Sequence, residues 1–338
     1  RQKRVWVPIG VLAGLIVSVL VAFNVSPWPG AMLIRSVFES DAANVKKAMM
    51  AHAPQGIALI ENEQYREGDK TAHLDVHFPE TAANDGAKLP TVIWTHGGAW
   101  ISGSKSDAVP YFQLIAEQGY TVIALNYALG PDSTYPTGVH QLNDALAFIQ
   151  QNADRYHVDT SQIFLAGDSA GAQLTSQLAT LITNPTYATE LGITPALKSE
   201  QLRGLVLNCG IYDMHAYFDH GDEQVSGLLV WGTNLVVWAY TGSRSKDSTA
   251  VQQMSTINYV TSAFPPTYIS GGNADPLTER QSKPFATKLE SLGVETTPLF
   301  YADDHEPALA HEYQFKLDNT DGQNALTVTL EFLKDHSK

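Results

Sequence analysis

Ser169 stands between two glycines in Gly167-Asp168-Ser169-Ala170-Gly171. The apolar run Ile163-Phe164-Leu165-Ala166 comes before this stretch, and a helical pattern over residues 173–182 comes after it. Strand, sharp turn and helix, in that order, are the context in which a G-x-S-x-G serine becomes a nucleophile. The turn packs helix against strand so closely that the positions two before and two after the serine must be nearly free of side chain. Gly167 and Gly171 meet that demand. The hydroxyl then stands above the sheet, and the N–H of Ala170 points to where an oxyanion would form.

A serine hydroxyl is a weak nucleophile without a base, and a carboxylate must hold that base in one tautomer. Asp275 is the preferred acid. It lies in Ser270-Gly271-Gly272-Asn273-Ala274-Asp275-Pro276-Leu277, after a strand pattern at 267–270, where the glycines permit a sharp turn and Pro276 stiffens the exit. Its plainer reading is an Asx-type turn residue. Asp213, after an earlier strand, is the runner-up, and Asp303 and Asp304 sit too late and too near the base. Two histidines follow the strand pattern at 297–301. His311, among Leu309, Ala310, Tyr313 and Phe315, suits a partly buried base, while His305, among Asp303, Asp304 and Glu306, is the alternative base or a solvated loop residue. A His-x5-His pair without further ligands is not a zinc pattern, and H-E-x-x-H is absent. Neither a metal nor an organic cofactor is expected.

An oxyanion needs more than one donor. After the apolar strand at 91–95 comes His96-Gly97-Gly98-Ala99-Trp100, whose small residues let backbone N–H groups approach a ligand. Gly98 and Ala99 are the expected donors beside Ala170, with Gly97 shaping the loop and His96 fixing it. Losing one such donor typically costs roughly 3–4 kcal/mol of transition-state stabilisation.

The elements that must hold these groups alternate along the chain. Strand patterns at 74–78, 91–95, 120–127, 163–166, 205–207, 267–270 and 297–301 are interleaved with helical patterns at 141–156, 173–182, 281–292 and 324–334. Buried strands alternating with helices imply a mainly parallel sheet covered on both faces, with functional groups at the carboxyl ends of its strands. Residues 211–262 break the rhythm. They are rich in Trp, Tyr and Phe and read as a cap insertion over the site. Residues 67–338 are the expected catalytic domain, and 26–66 read as a helical spacer.

With 338 residues and 44% apolar content the chain can bury one large core. Its net charge of −14 and the lack of a basic, aromatic-studded patch argue against nucleic acid. Cys209 is the lone cysteine, which excludes an intramolecular disulfide. Residues 5–25 carry no charge and are long enough to span a bilayer as a helix. Arg1, Lys3 and Arg4 form a basic tail at 1–4 that should stay cytoplasmic and place the remainder outside the cytoplasm. A single-pass membrane anchor is therefore expected, with secretion after signal cleavage as the alternative.

His96-Gly97-Gly98-Ala99-Trp100, Asn126-Tyr127, Gly167-Asp168-Ser169-Ala170-Gly171, Asp275 and His311 together resemble the hormone-sensitive-lipase-like esterases of the α/β-hydrolase superfamily. The likeness covers about residues 67–338. It implies an α/β-hydrolase fold, the chain order serine, acid, histidine, and hydrolysis of small to medium carboxylic esters without a cofactor. Ala99-Trp100 replaces the third glycine common in lipase-like members and is similar instead to loops of kynurenine-formamidase-like and feruloyl-esterase-like relatives. That keeps an amidase or arylformamidase as the alternative activity. A non-catalytic, membrane-anchored adhesion module on the same fold is the remaining alternative, and the oligomeric state is left open.

Overall fold

The computed structural model describes residues 14–15, 17–19, 21–219 and 227–337. Its centre is an eight-stranded sheet. The strands are β1 (Ile57–Gln64), β2 (His73–Pro79), β3 (Leu89–Thr95), β4 (Thr121–Leu125), β5 (Val158–Asp168), β6 (Leu202–Asn208), β7 (Thr267–Gly271) and β8 (Thr296–Phe300). They lie in the order β1-β2-β4-β3-β5-β6-β7-β8. The β1/β2 and β2/β4 pairs are antiparallel, and the rest are parallel.

Side chains alternate across each inner strand, and both faces are buried. Ile93, Ile123, Leu165, Leu205 and Ile269 face one core. Val92, Val122, Phe164, Val206 and Tyr268 face the other. Helices α1 (Trp28–Met49), α2 (Val109–Glu117), α3 (Thr137–Gln151) and α4 (Ala170–Thr183) precede the insertion. Leu142 and Leu146 of α3, with Leu174 and Leu178 of α4, cover the first face. Tyr111, Phe112 and Ile115 of α2 cover the second.

The insertion between β6 and β7 holds α5 (Met214–Phe218), α6 (Gly227–Thr241) and α7 (Thr249–Met254). After β7 come α8 (Lys283–Ser291) and, last in the chain, α9 (Thr320–His336). Register aligns the strand ends that matter. Thr95 pairs with Gly167, Asp168 with Asn208, and Asn208 with Ser270. The loops after β3, β5, β6 and β7 therefore open at one edge of the sheet, where ligands of such folds bind.

One feature differs from the sequence reading. Residues 57–64 are a sheet strand rather than part of a helical spacer, so the sheet begins before residue 67. A bulge between Ile60 and Glu63 breaks the alternation there, with Asn62 at φ 57° and its N–H given to Asp75 Oδ1 at 2.8 Å. A half-exposed edge strand with a bulge carries little hydrophobic period. The helix before it packs on the domain. Gly30 closes on Leu235 and Trp231 of α6, and Arg35 donates to the carbonyls of Ile101 (2.5 Å) and Gly130 (2.8 Å) and to Asp132 (2.9 Å).

The span expected at residues 5–25 falls largely outside the described residues. Within them, residues 17–25 and 28–52 are helices meeting at 85°, and no single described helix is long and apolar enough to cross a membrane.

Candidate active site

Ser169 ends β5 and opens α4 with φ 51° and ψ −120°, a backbone that L-residues adopt only under constraint. The constraint is visible. Its N–H is held by the Asn208 carbonyl at 2.9 Å. A Cβ on Gly167 would lie 2.6 Å from the Gly171 backbone, and one on Gly171 would lie 2.0 Å from the Thr95 carbonyl oxygen. Strand and helix are thus in backbone contact at both glycines, which forces the serine out of the sheet plane.

The structure brings His311 and Asp275 to that serine. His311 Nε2 lies 3.0 Å from Ser169 Oγ, and His311 Nδ1 lies 2.7 Å from Asp275 Oδ2. Asp275 is buried, and its other oxygen accepts from Leu277 N–H at 2.9 Å. The acid and histidine loops are tied together by Asn273 and Leu309. Leu309 N–H donates to Asn273 Oδ1 at 2.8 Å, and Ala274 N–H donates to the Leu309 carbonyl at 2.9 Å. Nothing in the sequence singles out Asn273 for this role.

Burial opposes a charge on His311, but Cys209 and Asp275 outweigh it and raise the imidazole well above its ordinary range. Burial pushes the Cys209 thiol up to about 11, and Asp275 is the partner hydrogen-bonded to the imidazole. Cys209, Asp275 and His311 also bring ligand-type atoms within 4.8 Å of one another, the group of that kind among the described residues. Asp275 and His311 are already spent on each other there.

The alternatives lie elsewhere. His305 Nε2 faces Asp321 Oδ1 of α9 at 3.2 Å, and its carbonyl takes the Asn273 amide at 2.9 Å. His305 is not brought to Ser169. Asp213 caps α5, accepting from His215 and Ala216 N–H at 2.9 and 3.2 Å. Asp303 and Asp304 lie in the exposed turn beside His305.

The loop after β3 turns through left-handed backbone at Gly98 (φ 102°), Ala99 (φ 51°) and Trp100 (φ 61°). A Cβ on Gly98 would meet the Ser102 carbonyl oxygen at 2.3 Å. Gly97 N–H is engaged with Asp168 Oδ2 at 2.8 Å. The N–H groups of Gly98, Ala99 and Ala170 donate to no other group among the described residues. His96 is buried, its Nδ1 2.8 Å from the Gly97 carbonyl and its ring stacked 4.5 Å from Tyr127. Burial depresses it to about 4, so it is a neutral brace. Trp100 lies stacked 5.7 Å from Tyr240 of α6 and donates to Gln173 at 3.0 Å, locking the loop to cap and helix.

These groups line a cavity of about 380 Å³. Its floor is Ser169, His311, Gly98 and Ala99; the cap supplies Tyr217, Leu229 and Thr233; α1 supplies Phe38, Val45 and Met49. The contribution of α1 was not legible in the sequence, because its apolar positions split between the domain and the cavity.

A mainly parallel sheet with helices on both faces, and a strained serine at a strand–helix turn, define an α/β-hydrolase. Residues 74–289 match the BD-FAE family model, and the chain belongs to that family. It is 28% identical over 238 residues to the esterase LipQ of Mycobacterium tuberculosis, a match covering 69% of this chain and 53% of LipQ. It is 28% identical over 193 residues to the kynurenine formamidase of Salmo salar, covering 57% of this chain and 59% of that protein. The chain thus spans between half and two thirds of the length of these curated relatives. Among solved structures, esterase B from Lactobacillus rhamnosis superposes with a TM-score of 0.75 at 20% identity, covering 90% of this chain and 95% of that one.

Proposed function

We propose that this protein is a serine-dependent carboxylic ester hydrolase. The observation that carries the reading is the hydrogen-bonded series Ser169–His311–Asp275 at a positive-φ serine. In this reading His311 takes the Ser169 proton as Oγ attacks the ester carbonyl. Asp275 holds the imidazole and favours its cationic form. The tetrahedral oxyanion is met by the N–H groups of Gly98, Ala99 and Ala170 at the amino end of α4, where the helix dipole adds positive potential. His311 then protonates the leaving alcohol, and water, activated by the same histidine, cleaves the acyl-enzyme. Every step is a proton transfer or an addition–elimination that these side chains can perform.

The cavity favours esters of small to medium acyl chains. Hydrolysis of p-nitrophenyl esters from acetate to laurate, with Ser169→Ala alongside, tests the proposal. A chain-length optimum that vanishes in the variant supports it, and turnover that survives in Ser169→Ala sinks it.

The same machinery cleaves activated amides, and one observation favours an arylformamidase as second reading. The His96-Gly97-Gly98-Ala99-Trp100 loop accompanies the match to a kynurenine formamidase. Paired ester and N-formyl substrates of one aromatic amine or alcohol separate the two by their kcat/KM ratio.

The uncharged stretch at 5–25 acts, in this proposal, as a membrane anchor with the hydrolase outside the cytoplasm. Its described residues Leu15, Val17, Val19, Val21 and Val25 are all more than half exposed, which is costly in water and neutral in lipid. Secretion after cleavage is the alternative outcome, read from whether the mature chain keeps these residues.

A further inference from the structure

Asp168, inside the serine motif, and Glu312, next to the histidine, are both acidic, and neither has a part in the reaction derived above. Asp168 is buried. Its Oδ1 accepts from Trp94 Nε1 at 2.7 Å and its Oδ2 from Gly97 N–H at 2.8 Å, both neutral donors. Glu312 adopts φ 59°, a left-handed backbone that turns its side chain back into the cavity. A Cβ on Gly97 would lie 2.3 Å from Asp168 Oδ2 and 3.1 Å from Glu312 Oε1, so both carboxyl groups converge on one point beside the oxyanion loop. Glu312 Oε1 also stands 3.8 Å from His311 Nε2, the nitrogen that faces the serine.

We propose that Asp168 and Glu312 share one proton and form a latch between the oxyanion loop and the histidine loop, with Glu312 as a positioning residue for His311. The proposal rests on the esterase reading for its effect on turnover, but the shared proton itself does not. Two carboxyl groups that converge on one point, Asp168 buried and Glu312 partly so, oppose each other's ionisation. Burial, and then the charge of Glu312, push Asp168 well above the usual carboxylate range. Asp168 therefore holds the proton and donates it to Glu312. Two effects follow. The neutral Asp168 keeps a second negative charge away from the developing oxyanion next to Gly97. The Glu312 charge favours the imidazolium formed when His311 takes the serine proton. Loss of the shared proton sets two anions against each other and opens the latch, so turnover falls as pH rises through the titration of the pair.

Other ionisable groups face this corner. Asp107 lies on the loop side, pushed up to about 6 by burial and further raised by Glu312 and Glu39, with Lys46 of α1 opposing. Asp275 and Arg280 line the cavity from the acid-loop side. Asp107 titrates on the acid side, apart from the limb assigned to the pair.

Infrared difference spectra of the full chain, taken between acid and alkaline buffer, test the proton directly. A protonated-carboxyl C=O band that persists through neutral pH in the wild type and is missing in Asp168→Asn is expected. Its absence from the wild type, or its survival in Asp168→Asn, overturns the proposal. The pH dependence of kcat/KM on p-nitrophenyl butyrate tests the coupling. Glu312→Gln removes the charge that raises Asp168, so its alkaline limb moves to lower pH; Glu312→Ala also loses about tenfold in kcat/KM. A Glu312→Gln profile that superimposes on the wild type overturns the positioning role. If the wild type turns over no ester, the ester reading fails, and the infrared band alone decides the pair.

Discussion

Ser169 carries the heaviest single prediction. Its removal to alanine should lower kcat/KM by at least about 10⁴-fold, because members of such a unit act together. His311→Ala should be about as damaging, while His305→Ala should stay within roughly a factor of two, about 0.4 kcal/mol in barrier. Equal damage at His305, with His311→Ala active, would reverse the assignment. The raised His311 sets a sign. The base works only when neutral, so kcat/KM should climb with pH through and beyond neutrality. Asp275→Asn removes the anion that outweighs burial, so its acid limb should move to lower pH as its rate falls. Asp168 sets another sign, read in stability. Its folded pKa lies above the ordinary carboxyl value, so its contribution is complete below that value and is lost as pH rises through the folded pKa. Asp168→Asn should therefore flatten the decline of thermal midpoint as pH rises above the ordinary carboxyl range. At this scale the sequence was legible where residue type dictates chemistry. Ser169, Asp275, His311 and the glycine loop stand out by type and spacing. Asn273 and Glu312 do not, because their roles come from which loops meet in space.

Elements decide how finely those residues are held. The serine turn depends on two contacts that leave no room for a methyl group. Gly171→Ala would drive a Cβ into the Thr95 carbonyl, and a loss of about 3 kcal/mol or more is expected, measurable by denaturant unfolding. An unchanged midpoint would mean that strand and helix can separate there without cost. Helix α1 makes a different prediction. Phe38 and Val45 line the cavity, so Phe38→Ala should lengthen the preferred acyl chain, read as the ratio of kcat/KM for decanoate over butyrate. A ratio unmoved by the substitution would place the acyl group elsewhere. The inner strands were legible because β3 to β7 are apolar, β-branched and buried on both faces. The edge strand β1 was not, since half of it is exposed and Asn62 interrupts its period with a bulge. Helix α1 was legible as a helix but not as a wall, because it divides its apolar residues among the domain, the cavity and solvent.

At the scale of the whole molecule, the sheet collects distant parts of the chain at one edge. Ser169 comes from the middle, Asp275 from after the insertion, His311 from the last segment and Phe38 from the first helix. The fold class was readable from alternation alone, while the closeness of the two ends was not, since no periodicity encodes it. The apolar N-terminal stretch yields a prediction at this level. The full chain should co-sediment with phosphatidylcholine vesicles, and a form lacking residues 1–25 should stay in solution with its kcat on soluble esters retained. Equal partition of both forms would remove the anchor from the proposal.

The matched family region stops at residue 289, short of the histidine and after the first helix. A chimera that exchanges only residues 74–289 between relatives would import a nucleophile and its acid yet inherit the recipient's base and front wall. Such hybrids should work only where the recipient's ends fit the donor's centre, so substrate preference would be set jointly, by the cap in the middle of the chain and by the helix wall at its start.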